Sequence, residues 1–295
     1  MTVSARIGGA IVAVFVLAAA LGPVLAPFDP TRPALEENLR GPSPSHPFGQ
    51  DRLGRDILSR ALYGARVSLV VGLSVVSLSM FAGTAIGLFS GFAGGWVDEI
   101  LMRAVDVLLA FPGILLAIAL GAVLGPSLAN VVIALSAIGW TSYARLVRAE
   151  TLSLRERAHV ESAVSLGASP LRLLVFHILP LLTGPLLVQA TFGFAGAVVA
   201  EASLSFLGLG TQPPTPSWGA MLNEGRNFLL VAPHLALFPG LAVFATVLGI
   251  NFLGDGLRDW LGAGALTGGP TEIATRLTSG RPGSRSSSAL RAPGA

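Results

Sequence analysis

The sequence contains no cysteine and no lysine, and all nineteen of its basic residues are arginine. The absence of cysteine excludes disulfides, thiol nucleophiles and thiolate metal sites. The absence of lysine excludes a Walker A lysine, a Schiff-base lysine and a Ser–Lys dyad within this chain. Charged residues are also scarce, at 12%, whereas hydrophobic residues make up 52%. This composition is typical of a membrane protein rather than a soluble domain.

Long uncharged runs predict helices that cross a bilayer, which takes about 20 residues each. One run is too long for a single span, and Gly125-Pro126-Ser127 divides it, because glycine followed by proline stops a helix. We therefore expect an all-α membrane bundle of about six transmembrane helices, with five or seven as alternatives. The predicted spans are residues 7–26, 67–92, 107–124, 128–144, 181–200 and 228–253.

The first apolar run could be a signal peptide, since it follows a short N-terminal segment that carries Arg6. The run over residues 7–28 is longer than a typical signal-peptide core, and no small-residue cleavage site precedes the polar segment. We interpret it as a retained span, with cleavage as the alternative.

The distribution of arginine predicts the orientation of the chain. With the N-terminus inside, twelve arginines lie on the cytoplasmic side and seven outside, as the positive-inside rule favours. Both termini are then cytoplasmic. The same rule explains the sequence pI of about 10.5 without nucleic-acid binding, because the arginines are spread over loops and termini.

Four glycines in and after the second span recur at four-residue intervals, at Gly83, Gly87, Gly91 and Gly95. Small residues at this spacing share one helix face and let two helix backbones approach closely in lipid. We predict a helix-packing seam inside the bundle or against a partner subunit. The alternative is that glycine is simply common in membrane helices.

A short polar interval, residues 145–180, separates two of the apolar runs. Residues 153–166 predict a helix, and Gly167 suits the left-handed position that ends it. Ser169 can cap a second helix whose first residue is Pro170, and Pro180 starts or kinks the fifth span. The sequence thus predicts two short helices at a fixed angle.

The middle of this interval, Glu161-Ser162-Ala163, presents small residues and one carboxylate. Such a surface fits closely into a groove on a partner, although a solvated loop with an exposed glutamate is the alternative. The spacing from Glu161 and Ala163 to Gly167, and then to Pro180, resembles the EAA signature of permease subunits of ABC importers. This chain departs from the usual pattern at Ser162, where alanine is common, and at His177, where isoleucine is usual.

Further segments are similar to one branch of that family, the second membrane subunit of dipeptide, oligopeptide or nickel importers. They are residues 46–51 (HPFGQD), 53–60 (LGRDILSR), 63–66 (YGAR), 200–210 (AEASLSFLGLG) and 212–219 (QPPTPSWG). The resemblance covers roughly residues 1–260. Within these residues it implies an N-terminal span with an external segment (1–65) and a permease domain (66–260) with a coupling helix near 155–168. The remaining residues, 261–295, are rich in Gly, Ser, Pro, Ala and Arg, and this composition predicts a disordered cytoplasmic tail.

The resemblance implies the type I ABC importer transmembrane fold in a bacterial inner membrane. It implies a non-catalytic subunit that forms half of a translocation path together with a homologous second permease subunit. Two ATP-binding subunits would carry ATP and Mg, so this chain needs no cofactor, and an extracytoplasmic binding protein would deliver the substrate. Di- or oligopeptide is the leading cargo, with nickel or a metal chelate as the alternative.

The resemblance also assigns site residues to a contact with the ATPase. They are Glu161, Ser162, Ala163, Gly167 and Pro180, with Arg155, Arg157 and His159 at the rim of the contact.

Three further positions are candidates for a gate, a pathway or a partner contact. Glu201 is an ionisable residue at the end of the fifth span, and the alternative is an interfacial residue satisfied by water or Arg226. Asn251 is a similar polar candidate. Trp218 could contact the binding protein or hold a gate, or else be an interfacial aromatic anchor. The four histidines lack metal-ligand spacing, so we assign no metal site.

Two functions of other classes remain open from the residues alone. An intramembrane enzyme is disfavoured, because no Gly-x-Ser-x-Gly, His-Glu-x-x-His or paired intramembrane carboxylates occur. A secondary transporter or channel that works without ATP is the other rival. The missing Walker lysine does not separate it from an ABC permease, whose ATPase is usually another chain.

Overall fold

The structure is a computed structural model that describes the backbone of residues 3–266 and the side chains of residues 3–261. Of the predicted disordered tail, residues 267–295 lie outside the described residues, and the last helix continues to Leu266. Over residues 3–266 the chain is helical and contains no β-strand, only an isolated bridge between Gln50 and Asp56.

Ten α-helices follow one another along this part of the chain. They are α1 (Val3–Leu25), α2 (Ile57–Ala93), α3 (Gly95–Leu109), α4 (Gly113–Leu124), α5 (Leu128–Arg155), α6 (Ala158–Ser165), α7 (Pro170–Arg172), α8 (Thr183–Phe206), α9 (Trp218–Gly225) and α10 (His234–Leu266). A π-helical turn (Leu173–Ile178) and a 3₁₀ turn (Leu179–Leu182) join α7 to α8 without a break. We refer to the two ends of the bundle by the short helices found there, the α6 end and the α9 end.

Five helical segments of the described residues are long and apolar enough to cross a membrane: α1, α2, α5, the continuous segment Pro170–Phe206, and α10. The third predicted span, residues 107–124, is not a single helix. It falls on α3 and α4, which meet at an angle of 84°. Pro112 stands at this break, and because proline lacks a backbone N–H it cannot continue the preceding helix. The number of spans is therefore five, or six if this bent pair crosses as one.

The centre of the bundle is the contact between α2 and α5, where three of the predicted seam glycines lie. A Cβ added to Gly87 would come within 2.6 Å of the Ala144 carbonyl oxygen and 2.8 Å of the Val147 Cβ. Gly83 and Gly91 face α5 in the same way, one turn before and one turn after. The two backbones thus approach closely, as small-residue packing in membranes allows.

Gly95 differs from the seam prediction. It begins α3 rather than continuing α2, has a positive φ of 56°, and has no atom within 4 Å of the place where a Cβ would stand. The reason is Gly94, whose φ of 64° ends α2 and turns the chain. Gly95 therefore continues the four-residue spacing in the sequence, although it lies outside α2 and takes no part in the packing against α5.

A second close contact joins α1 and α10. A Cβ on Gly8 would lie 2.6 Å from the backbone nitrogen of Leu253, and a Cβ on Gly249 would lie 2.5 Å from the Ile11 side chain. Gly256 packs against Ala5 in the same face. The first and last described helices therefore pack backbone against backbone.

At the α9 end, an ionic cluster ties the segment before α2 to α9. Arg55 donates to Asp51 and to Glu224, both at 2.7 Å, and Arg60 donates to Glu224 at 3.2 Å. Arg60 is only 2% exposed. Nearby, Gln50 donates to Glu37 at 2.7 Å, which together with the cation of Arg40 lowers the pKa of the Glu37 carboxyl.

Candidate functional site

The α6 end holds the residues that sequence analysis assigned to a partner contact. Helix α6 follows α5 after only two residues, Glu156 and Arg157. The predicted single helix over residues 153–166 is therefore two helices. Arg157 interrupts it with an extended backbone (φ −84°, ψ 144°), and its carbonyl accepts the Val160 N–H at 2.9 Å at the start of α6. The short link places α6 directly at the end of a long membrane helix.

Gly167 closes α6 with a defined pair of backbone hydrogen bonds. Its N–H donates to the Val164 carbonyl at 2.9 Å, and the Ala168 N–H donates to the Ala163 carbonyl at 3.0 Å. Together with the Gly167 φ of 81°, these bonds form a Schellman motif. The position that sequence analysis gave to Gly167 is thus the one it occupies.

Helix α6 has an inner and an outer face. Val160 and Ala163 are buried, and they pack in a cluster with Leu154 of α5 and with Leu173 and Ile178. Ala163 therefore holds the helix in place and offers almost no surface to a partner.

The outer face of α6 consists of Glu161 and Ser162, which are exposed, as are Arg157 and His159 just before them. The Ser162 hydroxyl donates to the Ala158 carbonyl at 2.7 Å, within α6. The exposed residues of this segment are thus mostly polar or charged, with Val164 as an exposed apolar residue of α6.

The chain after α6 returns to the bundle through an irregular helix. Pro170 is at its first position, as predicted, and Ser169 precedes it but makes no side-chain capping bond. Pro180 lies in the 3₁₀ turn between the π-helical turn and α8. Since proline removes one backbone donor, the hydrogen-bond pattern changes on either side of it.

Beside α6 lies a shallow groove of about 600 Å³, which sequence analysis missed. It is lined by Ser169, Leu171, Arg172, Val175, Phe176 and His177. Leu171 and Phe176 are each 71% exposed, and Leu166, the residue after α6, is 89% exposed. Leu171 and Phe176 both belong to the segment Pro170–Phe206, which is apolar enough to cross a membrane, so their exposed side chains form a surface for lipid or for a partner.

The structure places Glu201 inside the protein. Its side chain is 0% exposed, and Oε1 accepts a hydrogen bond from the Ser205 hydroxyl at 2.7 Å. Arg226 does not reach it and instead lies over the Phe206 ring, 5.7 Å from its centroid. Neither water nor Arg226 therefore satisfies the Glu201 carboxyl, which is enclosed by protein and bonded to a serine of its own helix.

Trp218 is also an interior residue, with 3% exposure. Its indole N–H donates to the Ala61 carbonyl at 2.9 Å, and its ring packs 5.9 Å from that of Phe15. The ring lies against Gly64, where a Cβ would approach it to 2.7 Å. Trp218 thus joins α9 to α2 and α1 rather than lying at a membrane surface.

Asn251 is half-buried in α10, and its amide donates to the Val247 carbonyl at 2.9 Å. This bond lies within one helix turn, so the donor is satisfied locally. The three candidates are therefore not joined to one another, since the side-chain hydrogen bonds of Glu201, Trp218 and Asn251 go to other residues.

An apolar cavity of about 220 Å³ lies among α2, α4, α5 and α8. Its lining includes Gly193, Gly196, Ala197 and Ala200 of α8, together with Gly113 of α4. These four small residues of α8 are three or four positions apart and so lie on one helix face. That spacing is visible in the sequence and could have predicted this wall of the cavity. Over residues 3–261, no group of three or more histidine or acidic side chains is arranged to hold a metal ion.

Comparison with known families gives two matches along the chain. Residues 83–265 match the family described as "Binding-protein-dependent transport system inner membrane component". Residues 4–42 match the "N-terminal TM domain of oligopeptide transport permease C". The first match includes α5, α6, Gly167 and the groove.

Individual relatives agree with these matches. The chain is 52% identical over 221 residues to the glutathione transport system permease protein GsiD of Pectobacterium atrosepticum, covering 75% of this chain and 73% of that protein. It is 50% identical over 238 residues to the proteins of the same name from Escherichia coli and Shigella sonnei, covering 80% of this chain and 78% of each relative.

Proposed function

Since the chain belongs to the family of inner membrane components of binding-protein-dependent transport systems, we propose that it forms half of the translocation path of an ATP-driven peptide importer. The chain is a multi-pass permease subunit of a bacterial ABC importer with the type I transmembrane fold. The proposal adds the cargo, the partner contacts and the orientation.

The observation that carries the coupling proposal is the geometry of α6. The helix is fixed at one end by a two-residue link to α5 and at the other by the Schellman motif at Gly167. Its inner face is packed, so a force on the outer face, Glu161 and Ser162, moves α6 together with α5 and α8. Such rigid-body movement is the kind that alternating access requires.

We assign the partner surface of this site to an ATP-binding subunit. The exposed Arg157, His159, Glu161 and Ser162 supply polar contacts, and the neighbouring groove supplies apolar ones through Leu171 and Phe176. Two ATP-binding subunits, with ATP and Mg, would serve this chain and a homologous second permease subunit. The chain itself would bind no cofactor.

The orientation follows from the arginines. We place the α6 end and both termini in the cytoplasm, because twelve of the nineteen arginines then lie inside. The α9 end, with the ionic cluster around Arg60, would face the external binding protein. Trp218 and Glu201 would then stabilise the fold near the external mouth of the path.

The cargo proposal rests on the relatives. They are named for glutathione, which is a tripeptide, and the N-terminal segment matches an oligopeptide permease domain. Small peptides are therefore the cargo that we propose. The apolar cavity bordered by α4 and α8 would be this subunit's part of the path.

The test is uptake by the complete complex, purified through a tag on this chain and reconstituted in proteoliposomes with its binding protein. Labelled glutathione, a dipeptide and a tetrapeptide serve as cargo, and nickel chelate serves as the competing class. We expect an ATPase subunit to co-purify and peptide uptake to require ATP. Uptake by this chain alone without ATP would contradict the proposal, and uptake of the nickel chelate alone would overturn the cargo.

A further inference from the structure

Asp98, in the first turn of α3, connects three helices at the α6 end. Arg148 of α5 donates to both carboxylate oxygens of Asp98, from Nε and from Nη2, each at 2.5 Å. The Ser90 hydroxyl of α2 donates to Oδ1 of the same carboxylate. A bidentate arginine–carboxylate pair fixes orientation as well as distance, so α3 is held in a defined position against α5 and α2.

A second bond fixes the last turn of α5 at the same place. Arg155 donates through Nη1 to the Gly91 carbonyl of α2 at 3.2 Å. Only Glu156 and Arg157 separate this residue from α6. The end of α5 that carries α6 is therefore tied to the helices that hold Asp98.

The other end of α3 leads to the cavity. After the 84° bend, α4 begins at Gly113, and Gly113 and Ile114 line the cavity together with Leu135 and Ile138 of α5. Two of the cavity walls are formed by α4 and α5. The α5 wall is linked to α6 through only Glu156 and Arg157. The α4 wall packs directly against α5, where Ala117 and Ile118 meet Val131 and Leu135. At its other end it is joined to the last turns of α5 through α3 and the contact of Asp98 with Arg148.

We propose that the Asp98–Arg148 pair is a positioning pair that makes α3 and α4 move with α5 and α6, so that displacement of α6 reshapes the cavity wall. This inference rests on the proposed function, which supplies the ATPase that displaces α6. Neither residue lines the cavity.

A second ion pair on α3 provides the comparison. Arg103 and Glu99 lie 3.7 Å apart, and their side chains are 77% and 69% exposed. Arg148 and Asp98 are 33% and 14% exposed. Exposed pairs contribute little because water screens them, whereas a half-buried bidentate pair between two helices constrains both. Glu99→Gln is therefore the matched control.

The first experiment measures peptide molecules imported per ATP hydrolysed by the reconstituted complex. The key variant is the neutral double replacement Asp98→Asn/Arg148→Gln, which leaves no unpaired charge and so keeps the fold. We expect it to assemble and hydrolyse ATP within about twofold of the wild type, but to import about tenfold less per ATP, in the range typical of coupling between sites.

The conservative variant Arg148→Lys tests whether the bidentate geometry itself matters, because lysine keeps the charge but lacks the planar fork that bonds both carboxylate oxygens. We expect its yield per ATP to lie between those of the neutral double variant and the wild type, and Glu99→Gln to have the full yield. A neutral double variant with wild-type yield would overturn the proposal. So would a loss in Glu99→Gln as large as that in the neutral double variant, because the effect would then not be specific to this pair.

The second experiment needs no cargo, so its result stays separate from that of the proposed function. The chain has no cysteine, so Arg103→Cys on α3 and Glu156→Cys after α5 provide two unique spin-label sites, with cysteine-free partner subunits. We expect one narrow distance distribution in the wild-type background, both without nucleotide and with trapped ATP. The neutral double variant should broaden it. Equal widths in both backgrounds would overturn the inference even if the wild type imported no peptide.

Discussion

Gly167 is the single residue on which the shape of the α6 segment depends most directly. Its φ of 81° lies in the left-handed region, and no atom lies within 4 Å of the place where a Cβ would stand. A side chain at this position therefore meets no steric obstacle from its neighbours. The cost of replacing the glycine comes from the backbone alone, about 1–2 kcal/mol for most residues.

This conformation gives a prediction at the residue scale. Gly167→Val should disturb the Schellman motif, because a β-branched residue resists the left-handed region, and should lower both substrate-stimulated ATPase activity and uptake severalfold. Gly167→Asn should keep most of both, since asparagine tolerates that region. Both activities are measured in the reconstituted complex. Wild-type values for Gly167→Val in an intact complex would contradict the coupling role of α6.

Residues whose role follows from their own backbone chemistry were predictable from the sequence. Gly167 and Pro170 occupy the positions that their conformational preferences indicate. The burial of Ala163 and Glu201 was not predictable in this way, because it depends on how other parts of the chain pack around them. Ala163 packs with Leu173, and the Glu201 carboxyl is enclosed although its sequence position suggested an interface.

At the scale of elements, the positions of the apolar helices followed from hydrophobicity, whereas their joints did not. Five long helical segments overlap predicted spans, but three of them, α2, α5 and Pro170–Phe206, extend about ten residues beyond the predicted limits. The run over residues 107–124 is equally apolar, yet Pro112 bends it into two helices. Hydropathy reports burial in lipid and carries no information about the direction in which the chain continues.

The α2–α5 seam gives a prediction at this scale. Gly87→Leu should separate the two helices, since even a Cβ would lie 2.6 Å from the Ala144 carbonyl oxygen. Overpacking of this kind costs about 1–3 kcal/mol, so the unfolding temperature should fall measurably. The unfolding temperature of the variant is compared with that of the wild type by thermal unfolding of the purified complex in detergent.

Gly9→Leu is the matched control for the seam. Gly9 is also a helical glycine, in α1, but nothing lies within 4 Å of its Cβ position. We expect its unfolding temperature to stay within about 1 °C of the wild type, since substitutions away from packed contacts usually change stability little. Equal losses for both variants would mean that the seam has no special role.

At the scale of the whole molecule, the two ends of the bundle differ in how they are held together. The α9 end is fixed by the buried cluster of Arg55, Arg60, Asp51 and Glu224. The α6 end exposes apolar side chains around a short helix. The α9 end is thus tied by ion pairs, whereas α6 is held by apolar packing against α5 and the chain before α8.

The proposed orientation is tested by labelling, because the chain has no cysteine of its own. Ser45→Cys, exposed at the α9 end, should react with a membrane-impermeant maleimide in spheroplasts. Ser165→Cys, exposed at the end of α6, should react only after the membrane is permeabilised. The wild-type chain is the unreactive control. The reverse pattern would show that the arginine count gave the wrong orientation.

The contact between α1 and α10 determines when the protein can finish folding. Gly8 on α1 packs directly against the backbone of α10 near Leu253, a segment that the ribosome makes some 240 residues later. During synthesis α1 must therefore remain in the bilayer with its glycine face covered only by lipid. A chain that stops before α10 keeps this face open, which offers cellular quality control a way to distinguish unfinished copies from complete ones.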